Sequence, residues 1–277
     1  MISLKLRAWE AVNRPWALYE SKERVVISSL AILMTCHNRM TTTVDCLKYL
    51  FAAVTRLYTC ECKVFLVDDG STDGTAEAVR KYFPQVCVIG GDGTLFWARG
   101  MELAWKSAEV EGEWDGYLWL NDDTILARDA LERLMSVDDG ESIVVGNLRN
   151  AVGAIVYGMR EGGLFTGNCV FVPRKVYGRL GMICGKYSHA WADSDYAMRA
   201  KRYGVKVVSG GVVGSAEWHP NRPSLKGRTL CERVRLLCNP KGWNLHDLWL
   251  YRSRNWGVFR AVTSCAHLMI HVVWGER

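Results

Sequence analysis

Residues 64–75 read VFLVDDGSTDGT and residues 117–124 read YLWLNDDT, two apolar runs that each end abruptly in carboxylates. A continuous run such as Val64–Val67 suits a parallel strand covered on both faces. The Gly, Ser and Asp that follow it are turn chemistry. In open α/β sheets the ligand crevice lies just outside the carboxyl ends of such strands. Asp68, Asp69, Asp122 and Asp123 therefore stand where a metal and a nucleotide would bind. Each acidic turn taken alone is equally a solvated turn or a helix N-cap.

The rest of the chain repeats that β-then-α rhythm. Strands are expected near 27–35, 63–67, 86–89 and 118–120. The helices between them fall at about 41–51, with Thr41, Thr42 or Thr43 as N-cap, and at 75–82, 98–110 and 127–135. This order predicts a parallel sheet with right-handed crossovers. The second half is mixed, with strands near 142–145, 153–157, 169–172 and 205–208 and helices at 175–180 and 193–203.

With 277 residues and 49% hydrophobic content, one catalytic domain can form with length left over. Residues 222–277 hold ten Lys or Arg against three acids, a net +7 in a chain of +6, so residues 1–221 carry −1. That acidic balance and the lack of a binding motif argue against a nucleic-acid partner. The ten cysteines are irregularly spaced. With no secretory leader read at the start, reduced thiols and a cytoplasmic location are expected. No run reaches the roughly 18 to 20 apolar residues of a spanning helix.

Six strings occur in one order: LAILMTCHNR, VDDGSTDGT, GGDGTLFWARGM, Asn121-Asp122-Asp123, FTGNCVFVPRKVYGRLG and ADSDYAMRAKRYG, with His219 after them. From about Ile27 to His219 the chain resembles the family 2 inverting glycosyltransferases of the GT-A fold. The loop at 90–101 resembles that of the bacterial rhamnosyltransferase-like branch. The resemblance implies a Rossmann-like, mainly parallel central sheet with helices on both faces and a C-terminal helical tail. The expected division is an N-terminal extension at 1–24, a GT-A catalytic domain at 25–221 and a basic, Trp-rich helical segment at 222–277.

The resemblance also implies roles. Asp193 is the candidate base that takes the acceptor proton, with Ala192 where the family carries another acid; Asp195, paired with Arg199 four residues on, supports it, and the alternative is that Asp193 is only the helix N-cap. Asp123 is the candidate ligand of Mg²⁺ or Mn²⁺, with His219 as a distal ligand. Asn121 replaces the first acid of the family's Asp-x-Asp motif, and Asp122 follows it. Thr35, His37, Asn38, Arg39, Asp68 and Asp69 are donor contacts, and a carboxylate among them suits the imide N–H of uracil or thymine. Gly91, Asp92, Gly93, Trp97 and Arg99 wall the same pocket, where glycine lets backbone approach a ligand.

The implied reaction moves a sugar from a UDP- or dTDP-sugar, dTDP-rhamnose among the candidates, to a hydroxyl of a saccharide or lipid-linked saccharide in bacterial surface polysaccharide synthesis. The other readings are a catalytically degenerate scaffold that binds nucleotide or saccharide, and a sugar nucleotidyltransferase. In the tail Val262, Ala266, Met269, Ile270 and Val273 fall at helical spacing, with Trp243, Trp249, Trp256 and Trp274 interleaved with arginines. This pattern suits an anionic membrane surface, and equally a helix packed on the catalytic domain.

Overall fold

The computed structural model describes residues 26–217 and 223–274. The expected extension at 1–24 and His219 lie outside the described residues. Strand β1 (Ser29–Cys36) pairs in parallel with β2 (Glu61–Asp68) on one side and with β4 (Gly116–Leu120) on the other. Beyond β2 lies β3 (Cys87–Gly90), also parallel. The connecting helices are α1 (Met40–Val54), α2 (Thr75–Tyr82) and α3 (Phe96–Glu111).

After β4 come β5 (Ile125–Leu126), α4 (Ala130–Ser136), β6 (Ile143–Arg149), β7 (Ile155–Tyr157) and β8 (Cys169–Pro173). Then follow α5 (Arg174–Leu180), α6 (Ala192–Arg202) and β9 (Val207–Ser215). The sheet order is β3-β2-β1-β4-β8-β6-β9-β5, with β7 on β6. The pairings make β1, β2, β3, β4, β6 and β9 run one way and β5, β7 and β8 the other. The fold is thus the expected mixed, mainly parallel α/β sheet, with one antiparallel strand inside it.

Strand alternation sorts the core into two layers. Ala31, Leu33, Phe65, Val67, Tyr117, Trp119, Val170 and Val172 face α3, α5 and α6. Leu30, Ile32, Met34, Val64, Leu66, Leu118, Leu120 and Phe171 face α1, α2 and α4. Strand β9 is longer than expected and starts later, because its SGGVVG core lacks the apolar density that marks a strand. The expected threonine cap of α1 is absent. The helix starts at Met40, whose N–H donates to Asp73 Oδ2 at 3.0 Å from the next loop.

The tail forms α7 (Leu230–Arg235), α8 (Leu245–Trp256) and α9 (Val258–Trp274). Helix α8 lies on the catalytic sheet assembly, with Tyr251 in the α3/α5/α6 core layer. Leu225, Leu236, Leu248, Cys265, Leu268 and Val272 form a separate small cluster that joins α9 to α8.

Candidate active site

The carboxylates sit at one rim of the sheet because four parallel strands end there. Strand β8 starts at the same rim. Its antiparallel register pairs Leu120 with Cys169, and the next residue, Asn121, donates its N–H to Asn168 O at 3.0 Å. The rim therefore gathers the ends of β1, β2, β3 and β4 with the segment Thr166–Asn168.

Asp69 organises the glycine-rich loop. Its buried carboxylate accepts the N–H groups of Gly93 (2.9 Å) and Leu95 (3.2 Å) on Oδ1 and of Phe96 (2.9 Å) on Oδ2. Phe96 is held at φ +54°, a conformation costly for a bulky side chain and sustained here by a charged acceptor. A Cβ on Gly91 would fall 2.7 Å from Asp69 Oδ1, so only glycine admits this carboxylate. Asp68 takes a single backbone donor, Ser71 N–H at 3.0 Å. Asp92 turns back on its own loop and accepts Thr94 N–H and Oγ1–H at 2.8 and 2.7 Å. Arg99 Nε donates to Leu95 O at 3.2 Å.

The loop after β1 is stitched to the loop after β2. His37 Nδ1 lies 2.5 Å from Asp69 O, Asn38 N–H donates to Ser71 Oγ, and Thr72 N–H donates to Asn38 Oδ1. Asn38 itself has φ +51°. Thr35 sits near the end of β1, where a Cβ on Gly100 of α3 would strike its Oγ1 at 2.4 Å. Arg39 bridges the acids, its Nη1 standing 2.8 Å from Asp122 Oδ1 and 3.1 Å from Asp123 Oδ2. Burial pushes the Asp122 carboxyl up to about 6 against the opposing pull of Arg39.

Asp123 Oδ1 is buried and has no hydrogen-bond partner among the described residues. A buried carboxylate oxygen left unpaired is costly, and a hard divalent cation is a ligand that would satisfy it. Asp123 and Asp122 thus fit Mg²⁺ or Mn²⁺, although among the described residues no cluster of three His, Cys, Asp or Glu assembles for a metal.

Across the rim stands Asp193, in the first turn of α6. Its Oδ2 accepts Gly167 N–H at 3.2 Å and its Oδ1 accepts Ser194 N–H at 2.7 Å. Burial raises its pKa, while those two N–H groups and the charge of Arg160 oppose the rise. Trp97 links the two sides. Its Nε1–H donates to Asn121 Oδ1 at 2.8 Å, and its ring packs so closely on Gly167 that a Cβ there would meet it at 2.4 Å. Beneath lies an aromatic floor in which Trp119 contacts Trp97, Trp105 and Tyr196, at centroid distances of 6.2, 5.8 and 5.0 Å. Tyr196 belongs to α6, so the floor fixes the helix that carries Asp193.

The expected pairing of Asp195 with Arg199 does not form. Arg199 Nη1 donates to Leu180 O at 2.6 Å, and its guanidinium lies over the Tyr196 ring. Asp195, fully buried, instead meets Arg254 Nε at 3.3 Å and Asn255 Nδ2 at 3.2 Å, both from α8. Ala192 points into the core, fully buried. Sequence reasoning also passed over Gly167, Arg160 and Asp247. Asp247 of α8 accepts Ser188 N–H and Oγ–H and His189 N–H at 2.8–3.2 Å. Next to that loop Trp191, at φ +73°, stacks on Tyr251 at 4.6 Å. The signal for Gly167 was present in FTGN, a polar break with glycine just before an unbroken apolar strand.

The solved structures similar to this one include the following three. Mannosyltransferase PcManGT from Pyrobaculum calidifontis, in complex with GDP-Man and Mn²⁺, has 17% identity and a TM-score of 0.57, over 96% of this chain and 76% of that one. S. aureus TarS 1-349 has 14% identity and a TM-score of 0.52, over 88% and 81%. Glucosyl-3-phosphoglycerate synthase from Mycobacterium tuberculosis, in complex with Mn²⁺, UDP and glucosyl-3-phosphoglycerate, has 13% identity and a TM-score of 0.51, over 82% and 80%. At these identities the likeness is one of fold. No curated protein sequence matches the chain. The family profile described as Glycosyl transferase family 2 matches residues 31–187, more than half of the length, and with the acid-tipped sheet rim it means that the chain belongs to glycosyl transferase family 2.

Proposed function

We propose that the chain is an inverting, metal-dependent transferase that moves a sugar from a pyrimidine nucleotide-diphosphate donor to a hydroxyl of a saccharide or lipid-linked saccharide. dTDP-rhamnose is the donor we favour, on the likeness of the 90–101 loop to the rhamnosyltransferase-like branch. The observation that carries this reading is the opposition of two kinds of carboxylate across Trp97: Asp122 and Asp123, with an unpaired buried oxygen, against Asp193, whose proton affinity burial raises.

In this reading Asp193 accepts the proton of the attacking hydroxyl. A carboxylate with raised proton affinity is a stronger base, and its two N–H contacts fix the direction of its lone pairs. Asp123 and Asp122 would hold the divalent ion, with His219 as the further ligand the family resemblance implies, and such an ion would supply positive charge to offset that of the departing diphosphate. Arg39, shared between both acids, is a cation at the same rim that can also meet the diphosphate.

Asp68 has only one backbone donor to serve and is the carboxylate we assign to the nucleobase imide. Asp69 is committed to the loop and acts by shaping it. Asn38, His37 and Thr35 line the base side, and the backbone of Gly91, Asp92 and Gly93 with Arg99 lines the sugar side.

Thermal stabilisation by UDP, dTDP, GDP and CDP, with and without Mn²⁺, tests the donor site. The expected result is a Mn²⁺-dependent shift for one pyrimidine diphosphate that Asp123→Ala abolishes. No shift with any nucleotide would remove the transferase reading, and a shift without sugar turnover would favour the degenerate scaffold.

A further inference from the structure

Helix α9 is apolar on two faces, and the fold uses one. Ala261, Cys265, Leu268 and Val272 are buried against α8 and α7. Val258 (62% exposed), Phe259 (78%), Val262, Met269, Ile270 (58%), Val273 and Trp274 (70%) are not. At about 100° per residue this second set spans roughly 160° of the helix circumference, interrupted only by Thr263. Trp249 and Trp256 of α8 add further exposed rings, with the Arg252 guanidinium 5.0 Å from the Trp256 ring centroid.

We propose that this outward face of α9, with the exposed tryptophans of α8, is a docking surface for an anionic phospholipid bilayer. Charge selects the occupant. Residues 223–274 carry eight Lys or Arg against Glu232 and Asp247; Asp247 is buried and committed to the 188–189 backbone, and Arg254 is paired with the buried Asp195, which leaves seven cations against Glu232. A second copy would bring the same positive charge to the contact, whereas an anionic headgroup layer neutralises it. Tryptophan and arginine side by side suit the boundary between acyl chains and headgroups. At about 1.5 Å per residue the 17 residues of α9 reach roughly 25 Å, short of a hydrocarbon core of about 30 Å. The helix lies in the surface and does not cross it; among the described residues no helix is long and apolar enough to span. This surface stands apart from the donor site, so a nucleotide shift reports on one and sedimentation on the other.

The test is co-sedimentation of the full chain with phosphatidylcholine vesicles, with and without phosphatidylglycerol. Binding is expected only with the anionic lipid. The double variant Phe259→Ser with Ile270→Ser should lower the partition about tenfold or more. Both side chains are exposed, so circular dichroism and the nucleotide-induced shift should be unchanged. Arg252→Gln with Arg260→Gln should weaken binding less and reduce its sensitivity to salt. Absence of binding to anionic vesicles, or equal binding by wild type and the serine variant, overturns the proposal. So does a wild-type dimer that the serine variant dissolves, an outcome that assigns the face to a second copy.

Discussion

The two sides of the rim are built by opposite means. On the side of β1 to β4, each loop is held by carboxylates from its own or a neighbouring strand end: Asp69 holds 93–96, Asp68 holds Ser71, and Asp73 holds Met40. On the side of Asp193, the supports arrive from far along the chain. Asp247 ties down Ser188 and His189, Tyr251 stacks on Trp191, and Arg254 and Asn255 meet Asp195 beneath the base helix. Strain marks both sides, since among the described residues the non-glycine residues at positive φ are Asn38, Phe96 and Trp191, each in a rim loop or at a helix start. The difference teaches that the β1 to β4 side, the proposed donor side, is a local device of the sheet, whereas the Asp193 side, the proposed acceptor side, is completed by the tail.

The sharpest cut between the sides is Asp193→Asn. Turnover should fall about a thousandfold or more, the range of general-base contributions, while the nucleotide-induced thermal shift stays. The sign of the pH effect follows from the raised pKa. As a base Asp193 works deprotonated, so wild-type turnover should fall as pH drops through a value above the ordinary carboxylate range. For stability the same shift acts the other way. A carboxyl with a folded pKa above its unfolded one loses stability as pH rises from the unfolded value through the folded value. The asparagine variant should therefore gain Tm relative to wild type at pH 8 compared with pH 4. Retained turnover, or a lost nucleotide shift, would break the assignment.

Asp69→Ala attacks the donor side at its support. Three backbone N–H groups lose a charged acceptor and Phe96 loses the contact that holds its φ, at a cost of about 3 kcal/mol after partial rescue by water. Urea unfolding measures that loss, and nucleotide stabilisation should vanish with the loop. If the shift persists, the loop does not depend on Asp69 and the local account of this side fails.

Much of the donor side was legible because its determinants are short-range. An apolar run ending in Asp-Asp-Gly specifies strand, rim and turn within ten residues. What escaped was direction and partnership. The run Cys169–Pro173 reads alike as a parallel or an antiparallel strand, since both are buried on two faces, so its insertion between β4 and β6 was not visible. With it went the meeting of Asn121 with Asn168. Spacing favoured Asp195 with Arg199, four residues on, yet a fully buried carboxylate under α6 is reached by Arg254 of α8 and not from its own helix surface. In α9, periodicity marked 262, 266, 269, 270 and 273, and the packed set is 261, 265, 268 and 272. Two apolar faces share one period, and periodicity does not say which one the protein covers.

Asp247→Ala sharpens the long-range half of the comparison. Ser188 N–H and Oγ–H and His189 N–H lose their acceptor in a buried setting, which should cost about 2 kcal/mol. Turnover should fall several-fold through loosened positioning of the 188–193 segment, and the nucleotide shift should be kept. A variant that loses nucleotide stabilisation would show that the tail supports both sides of the rim and erase the distinction.

The smallest effect is expected at the seam, from Asn121→Asp. A carboxylate still accepts Trp97 Nε1–H, so the link from Asn121 through Trp97 to Gly167 survives. The change adds a third negative charge beside Asp122 and Asp123, which already share one cation, Arg39. Without metal the added repulsion should lower stability by no more than about 1 kcal/mol, and with metal the half-saturating Mn²⁺ concentration should fall a few-fold. Asn121 would then be a linking residue whose amide is a concession to crowded charge. A tenfold loss of turnover at saturating Mn²⁺ would point instead to its Nδ2–H as a substrate contact, and would move the seam from scaffold into the reacting site.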